Sequence, residues 1–389
     1  MIILLGVSSS ISAYKACEIV SALQKQSHSV RVVMTENATK LIAPLTFETL
    51  TQHKAYTDTF ARDFDYSVEH ISLAKECNVF TIAPATANVI AKLAHGIADD
   101  MLTTTALAFN PAQLVVAPAM NTAMWENLAT KRNIETLKSR GVTIVPPACG
   151  RLACGDDGAG RLAEPSTIID YIYKASTPQT LLGKSVVVTA GGTQEAIDPV
   201  RFITNHSTGK QGTAIARECW LRGAYVTLVA PDTVAPLHFA KNIQANSAGQ
   251  MFDAVNAEFS SADMLVMTAA VADFRPSAVA DGKIKKSDGL DAIPLERTTD
   301  ILSEIGKTKK SHQKIVGFCM ETETESLISS AQKKLANKNC DMIVANSLST
   351  TGAGFGTETN VAVIVTKDSA VELPLMSKSE LAEEILNRL

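Results

Sequence analysis

A glycine-dense segment holds the two thiols whose surroundings best suit chemistry in this sequence. Cys149 and Cys154 share it with Arg151 and Arg161, and its glycines would let the backbone move. A zinc site would need two more ligands at knuckle spacing, and the segment has none. A thiol on such a flap is suited to donating a proton to a bound substrate or attacking it. An ordinary loop with an incidental thiol is the alternative.

Hydroxyl and amide side chains follow three predicted strands of the first half. The serines at 8–10 end the first strand and open a helix, so they could bind a phosphate, although serine is also an ordinary N-cap. Thr86 and Asn88 follow the third strand. Asn121 follows the fourth strand, where it could bind a carboxylate or simply close a turn. His70, beside a helix start, is a weaker candidate because a lone histidine is usually structural.

The second half has a polar loop and a cluster of lysines. A glycine turn at 189–193 precedes the loop 198–210, whose Arg, Asn and Lys suit a phosphate or an acyl phosphate. It is not a Walker A loop, because Thr204 stands where glycine is required and Gln211 follows the lysine. Asp273 and the lysines at 283–286 could bind a nucleoside triphosphate with Mg²⁺, whereas a lysine run is more often solvated surface. Lys334 and Lys338, one helical turn apart, could add to this positive field.

Apolar segments of strand length alternate with helical segments in both halves. This alternation predicts parallel sheets with helices on both faces. The expected strands are 2–7, 30–35, 78–84, 113–118 and 142–146, then 185–189, 225–229, 264–268, 315–318, 342–345 and 361–365. The expected helices are 11–26, 86–94, 101–108 and 131–140, then 213–222, 250–259, 300–306, 325–338 and 378–389. The periodicity lapses at 176–180, the expected linker. Ligands of such sheets bind at the carboxyl ends of strands, where the polar residues above lie.

The composition is typical of an enzyme and excludes several other classes. A length of 389 residues suggests two or three domains. The 36 basic and 40 acidic residues, with 5% aromatics, argue against a nucleic-acid partner. Seven scattered cysteines are typical of a reduced, intracellular protein. The sequence has neither a basic signal-peptide start nor an apolar run of about 18 residues, so we expect a cytoplasmic protein without a membrane partner.

These motifs, in this order, resemble those of the bifunctional phosphopantothenoylcysteine decarboxylase / phosphopantothenate–cysteine ligases of coenzyme A biosynthesis. The resemblance covers essentially the whole chain and rests on the segments 6–15, 70, 84–88, 118–121 and 152–155, then 189–195, 198–210, 269–273 and 283–286. It implies an α/β fold with two doubly wound, mostly parallel sheet domains. Residues 1–178 would be a flavodoxin-like or Rossmann-like, FMN-dependent decarboxylase, and 183–389 a Rossmann-like, CTP-dependent ligase.

For the ligase, the resemblance implies that the carboxylate of 4'-phosphopantothenate attacks the α-phosphate of CTP, giving an acyl-cytidylate. The amine of L-cysteine then displaces CMP. Lys283 would assist the first step, Asn205 would position the intermediate for the second, and Arg201 would anchor its loop and the substrate. Mg²⁺ would be held largely by the CTP phosphates, with its protein ligands unknown. The implied CTP contacts are Met267, Thr268, Ala269, Asp273, Lys283, Thr299, Asp300, Ile301, Leu302, Phe318, Lys334 and Lys338.

For the decarboxylase, the resemblance implies that the cysteine thiol is oxidised to a thioaldehyde with FMN as oxidant, CO₂ leaves, and the enethiol is then reduced again. His70 would act as a base, Asn121 would bind the substrate carboxylate, and Cys154 would donate the final proton. The implied FMN contacts are Ser9, Ser10, Thr35, Thr86, Asn88 and Met120. The resemblance also implies a homo-oligomer, with a trimer-based first domain and a dimeric second domain.

Several positions depart from the family pattern without removing a catalytic group. Ser9 replaces a common Gly, Ser12 a common Ala, Asp100 a common Asn, and the pair 298–299 an Asn-Pro.

Three alternative functions stay open. The first is a flavoprotein with another activity, such as prenyl transfer or peptide cysteine decarboxylation. The presence of the ligase half and of Cys154 counts against it. A flavin-binding regulator would not need the intact catalytic set. A nicotinamide dehydrogenase would need the absent G-x-G-x-x-G.

Overall fold

The computed structural model describes residues 1–61, 68–152, 155–285, 292–321, 327–347, 354 and 356–389. They form two compact units, Met1–Pro178 and Gln179–Leu389. Among the described helices, none has both the length and the apolar character needed to cross a membrane.

A parallel sheet forms the centre of the first unit. Its strands are β1 (Ile2–Val7), β2 (Ser29–Met34), β3 (Ala55–Tyr56), β4 (Val79–Ala85), β5 (Leu114–Pro118) and β6 (Thr143–Ile144). They pair in the order β3-β2-β1-β4-β5-β6. A separate antiparallel hairpin consists of β7 (Ala148–Arg151) and β8 (Asp157–Arg161). The helices are α1 (Lys15–Lys25), α2 (Glu36–Thr39), α3 (Pro44–Thr51), α4 (Glu69–Glu76), α5 (Ala87–His95), α6 (Met101–Ala108), α7 (Thr122–Glu126), α8 (Leu128–Ser139) and α9 (Pro165–Ser176), with short 3-10 helices at Ile11–Tyr14 and Pro111–Gln113.

Both faces of this sheet are buried, because successive side chains of a strand point to opposite faces. Ile3 and Leu5 of β1 belong to one apolar core, which includes residues of α1 and α9. Leu4 belongs to the other core, which includes residues of α5 and α6. Full burial of each such side chain contributes about 1.5–3 kcal/mol. The strand order changes direction between β1 and β4, and this switch point is where ligands of doubly wound sheets bind.

The second unit is built on a mixed sheet of eight strands. Its strands are β9 (Ser185–Thr189), β12 (Tyr225–Ala230), β13 (Lys241–Gln244), β14 (Met264–Met267), β17 (Lys314–Glu321), β18 (Met342–Ser347), β19 (Thr359–Thr366) and β20 (Ala370–Ser377). The two hairpins are β10 (Gln194–Ala196) with β11 (Phe202–Thr204), and β15 (Phe274–Pro276) with β16 (Leu295–Arg297). The helices are α10 (Lys210–Leu221), α11 (Ala248–Phe259), α12 (Ile301–Thr308), α13 (Leu327–Asn337) and α14 (Lys378–Leu386). The sheet order is β13-β12-β9-β14-β17-β18-β19-β20, parallel as far as β18 and antiparallel beyond it.

The predicted fold class is confirmed, since both units are α/β with mostly parallel sheets. Every predicted strand is present, with bounds that differ by a few residues. The elements that were not predicted from the sequence are the strands β3 and β13, the helices α2, α3, α7 and α9, the three hairpins and the antiparallel edge strand β20. Pro374 lies within β20, and an edge strand tolerates proline because one side of its backbone makes no ladder hydrogen bonds.

Candidate active sites

A cavity of about 550 Å³ lies at the carboxyl ends of β1, β4 and β5 in the first unit. Five predicted site residues line it: Ser9, Ser10, Thr86, Met120 and Asn121. Its volume and its position at the switch point are typical of a small-molecule site.

The buried hydroxyl of Ser8 joins the ends of β1 and β4. It donates a hydrogen bond to the carbonyl of Pro84 at 2.7 Å and accepts one from the N–H of Thr86 at 3.0 Å. Ser10 caps the following 3-10 helix by accepting from the N–H of Ser12 at 3.4 Å. Ser8 therefore has a positioning role, and it holds together the two strand ends that bring Ser10 and Thr86 to the cavity.

The β7–β8 hairpin packs against the segment that contains Asn121. Asn121 caps α7 through the N–H of Ala123 at 2.8 Å, and its Nδ2 donates to Asp156 of the hairpin at 3.4 Å. The N–H of Met120 donates to the carbonyl of Gly160 at 2.9 Å. Gly160 has a φ of +127°, and a Cβ there would lie 2.4 Å from the carbonyl oxygen of Met120. Gly160 therefore allows the backbone of β8 to lie close to the backbone of Met120.

Three predicted residues of the first unit that the structure describes are not part of this lining. Thr35 is buried and caps α2 through the N–H of Ala38 at 3.3 Å. His70 is half-buried in the first turn of α4, and Asn88 is exposed in the first turn of α5. Cys154 lies outside the described residues.

A second cavity, of about 510 Å³, lies at the carboxyl ends of strands in the second unit. Asn205 lines it together with all but one of the predicted CTP contacts: Met267, Thr268, Ala269, Asp273, Thr299, Asp300, Ile301, Leu302, Phe318, Lys334 and Lys338. Lys283 is the predicted contact that is not part of the lining, and Arg201 also lies outside it.

Two buried threonines position the 269–272 segment of this cavity. The hydroxyl of Thr189 accepts from the N–H of Ala269 at 3.1 Å, and that of Thr193 accepts from the N–H of Ala272 at 3.0 Å. Both threonines are fully buried. The glycine turn at 189–193 therefore positions this segment through the hydroxyls of the two threonines that flank its glycines.

Asn205 and Asp300, which both line this cavity, are fixed by hydrogen bonds. Asn205 Nδ2 donates to the carbonyl of Ala270 at 2.9 Å. Asp300 caps α12 through the N–H of Ser303 at 3.0 Å, and its carboxylate lies 3.0 Å from Lys338 Nζ. The pairing leaves the Lys338 ammonium at the wall of the cavity.

The second cavity also has polar lining residues that were not predicted from the sequence, including Gln211, Asn346 and Lys378. Gln211 Oε1 and Asn346 Oδ1 are buried and have no hydrogen-bond partner within the described part of the chain. Buried polar atoms are nearly always satisfied, so these two oxygens are available to accept hydrogen bonds from a polar ligand or from water. Burial lowers the pKa of Lys378.

Lys283 belongs to a loop that is anchored by Asp198 and Arg201. Arg201 pairs with the Asp198 carboxylate and donates to the carbonyl of Ile284 at 3.0 Å. The N–H of Ile284 donates to the same carboxylate at 3.1 Å. These hydrogen bonds, above all those from Arg201, hold the pKa of Asp198 well below its usual range. Arg201 thus anchors the lysine loop as well as its own.

Metal ligands are not clustered among the residues that the structure describes. No group of three or more His, Cys, Asp or Glu side chains there could hold a metal ion.

Comparison with known proteins gives matches over both units. Residues 1–177 match the family described as Flavoprotein, and 181–389 match the DNA/pantothenate metabolism flavoprotein C-terminal domain. The coenzyme A biosynthesis bifunctional protein CoaBC of Bacillus subtilis (strain 168) is 47% identical, covering 100% of this chain and 96% of that protein. Its counterpart in Mycobacterium bovis is 41% identical, covering 99% and 95%. A crystal structure of the C-terminal domain of a CoaBC protein is 40% identical over 54% of this chain and 95% of that one, with a TM-score of 0.46.

Proposed function

The chain belongs to the family of the coenzyme A biosynthesis bifunctional protein CoaBC, and on that premise we propose which residues of each unit perform its two reactions. It is a bifunctional ligase and decarboxylase. It joins L-cysteine to 4'-phosphopantothenate and decarboxylates the product to 4'-phosphopantetheine, with FMN as cofactor. We assign ligation to the second unit and decarboxylation to the first. The observation that carries the assignment of residues is the convergence of the implied nucleotide contacts with Asn205 on one cavity.

In the second unit, CTP activates the carboxylate of 4'-phosphopantothenate. Lys334 and Lys338 oppose the charge of the triphosphate, and Mg²⁺ enters with the CTP phosphates. Lys283, on its anchored loop, stabilises the charge that develops at the α-phosphate. The acyl-cytidylate then has CMP as a good leaving group.

Asn205 directs the second half-reaction of ligation. Its Nδ2 is committed to the carbonyl of Ala270, so Oδ1 is the atom that can accept a hydrogen bond from the amine of L-cysteine. This contact aims the nitrogen lone pair at the acyl carbon. Formation of the C–N bond breaks the bond between the acyl carbon and the phosphate oxygen, so CMP leaves, and the nitrogen loses its extra proton to solvent.

The cavity of the first unit fits FMN. Ser9, Ser10 and Thr86 offer hydroxyl groups for a phosphate, and Met120 offers an apolar surface for a ring. When bound, FMN supplies the two-electron chemistry that allows the carboxylate to leave. Asn121 holds that carboxylate, and Cys154 donates the proton that the enethiol needs when it is reduced to the final product.

His70 acts as the base of the first unit in this proposal. It does not line the cavity of its own chain, as far as the described residues define that cavity, so it would act at the cavity of a neighbouring copy. Ile11 and Tyr14, which line the cavity, are exposed in the single copy, and a neighbouring copy that completes the site would cover them. We propose a cytoplasmic homo-oligomer, with a trimer-based first unit and a dimeric second unit, whose partners are small-molecule substrates.

The assignment of the first unit is tested by the visible absorption spectrum of the purified, desalted protein. We expect a flavin spectrum and release of FMN on denaturation, identified by mass. A colourless protein that also fails to bind added FMN would contradict the assignment.

A further inference from the structure

Three basic side chains line the cavity of the first unit: Lys15, Arg151 and Arg161. No acidic side chain is present among the lining residues that the structure describes. A surface of one sign of charge around a concave site attracts ligands of the opposite sign. The hydroxyls at Ser9 and Ser10 can hold one phosphate, and the basic side chains indicate a second anionic group.

One carboxylate fixes two of these cations. Lys15 Nζ lies 3.0 Å from one oxygen of Glu164, and an Nη of Arg161 lies 2.7 Å from the other oxygen. Lys15 is the first residue of α1, Arg161 is the last residue of β8, and Glu164 directly precedes α9. Three separate elements therefore place these charges side by side.

The cluster keeps a net positive charge. Lys15 is only 8% exposed, and burial of an ammonium is costly unless a partner compensates for it. Glu164 is shared with Arg161, so two positive charges have one negative partner. An anion in the cavity would complete the compensation and would meet side chains that are already oriented.

We propose that Lys15 and Arg161, oriented by Glu164, form a subsite for a phosphate monoester, an inference that rests on the proposed decarboxylase function. Both molecules assigned to this cavity carry such a group: the substrate has its 4'-phosphate and FMN has its ribityl phosphate. In either case the guanidinium and the ammonium bind the phosphate oxygens, and the hydroxyls at Ser9 and Ser10 bind the other phosphate.

The test measures how much the phosphate of the substrate contributes to kcat/KM, and how much the phosphate of FMN contributes to binding, before and after one positive charge is removed. Lys15→Met and Arg161→Met keep the aliphatic stems but remove the cations. Lys25→Met, at the far end of the same helix and outside this cavity, is the matched control. For each protein, kcat/KM is measured with 4'-phosphopantothenoylcysteine and with pantothenoylcysteine, and Kd is measured for FMN and for riboflavin.

If the subsite holds the 4'-phosphate, each variant loses about 10- to 100-fold in kcat/KM with the phosphorylated substrate and little with the other, as expected for a charge-assisted hydrogen bond. If it holds the flavin phosphate, the preference for FMN over riboflavin falls by a similar factor, and the substrate ratio stays at the parent value.

Unchanged ratios in both variants would overturn the proposal, even if the total activity falls. Arg161→Met keeps the test decisive if Lys15→Met fails to fold, because Arg161 is more exposed. A parent protein that decarboxylates neither substrate would contradict the proposed decarboxylase function instead.

Discussion

The thiol of Cys154 carries the last proton transfer in the proposed decarboxylation. We predict that Cys154→Ser releases CO₂ but accumulates the enethiol, because a serine hydroxyl is a far weaker acid than a thiol. Mass spectrometry of the products checks this. Cys149→Ser, which changes an exposed thiol of the β7–β8 hairpin, is the matched control and should behave like the parent. A normal yield of 4'-phosphopantetheine from Cys154→Ser would remove the thiol from the mechanism.

Asn205 is assigned to the second half-reaction of ligation. In Asn205→Asp the amide donor to the Ala270 carbonyl is replaced by a carboxylate that this carbonyl repels, so the side chain no longer directs the amine. We predict that pyrophosphate is still released, that CMP forms at least about 10-fold more slowly, and that acyl-cytidylate accumulates. Rapid quench and chromatography would detect it. His206→Asn, which changes the neighbouring exposed residue, is the control and should behave like the parent. Rapid CMP formation by Asn205→Asp would contradict the assignment.

Asp198 gives the fold a pH-dependent contribution. Its pKa is lowered in the folded state by Arg201 and by backbone N–H groups, so the stabilisation is fully present above the unfolded pKa of about 3.9. It is lost as the pH falls through the lower folded pKa.

We predict that Asp198→Asn is less stable than the parent from pH 8 to pH 5, and that the difference shrinks below about pH 4. Denaturant unfolding at each pH measures it. The variant should also lose ligase activity and retain decarboxylation, because Asp198 anchors the Lys283 loop. A stability difference that is independent of pH down to pH 2 would contradict the assigned role.

At the scale of elements, the turn after β9 positions the 269–272 segment of the second cavity through the hydroxyls of Thr189 and Thr193. Thr193→Val keeps the shape of the side chain but leaves the partly buried N–H of Ala272 without its acceptor, which costs about 1 kcal/mol. We predict that the KM for CTP rises by roughly 10-fold, with a smaller change in kcat, and that Thr193→Ser restores it. A parent KM for CTP in Thr193→Val would show that the hydroxyl is not needed.

The strands were predictable because burial on both faces gives apolar runs that are bounded by turn residues. Helix α9 escaped detection because its isoleucines and tyrosines are also typical of strands. The hairpins escaped because they are short and partly exposed, and their pairing depends on contacts distant in sequence.

Residues that line the cavities were predictable where they lie within a few residues of the carboxyl end of a strand, as Asn121 and Thr268 do. Asn346 was not, because it lies inside β18 within an apolar run. Lys378 was not, because only the fold brings the start of α14 to the cavity. Sequence spacing locates the ends of neighbouring strands, but it does not report which later elements return to them.

At the scale of the whole molecule, the chain contains two α/β units, each with a cavity at the carboxyl ends of its strands. The family match extends over the full length of the chain. In the proposed assignment, the two activities belong to two separate sites on one polypeptide, and the product of the second unit is the substrate of the first.

The most direct test of this account supplies the purified protein with 4'-phosphopantothenate, CTP, Mg²⁺ and L-cysteine labelled with ¹³C in its carboxyl group. We predict equal amounts of CMP, ¹³CO₂ and unlabelled 4'-phosphopantetheine, with none formed when CTP is omitted. CMP with labelled 4'-phosphopantothenoylcysteine but no ¹³CO₂, from protein shown to contain FMN, would contradict the claim that one chain performs both reactions.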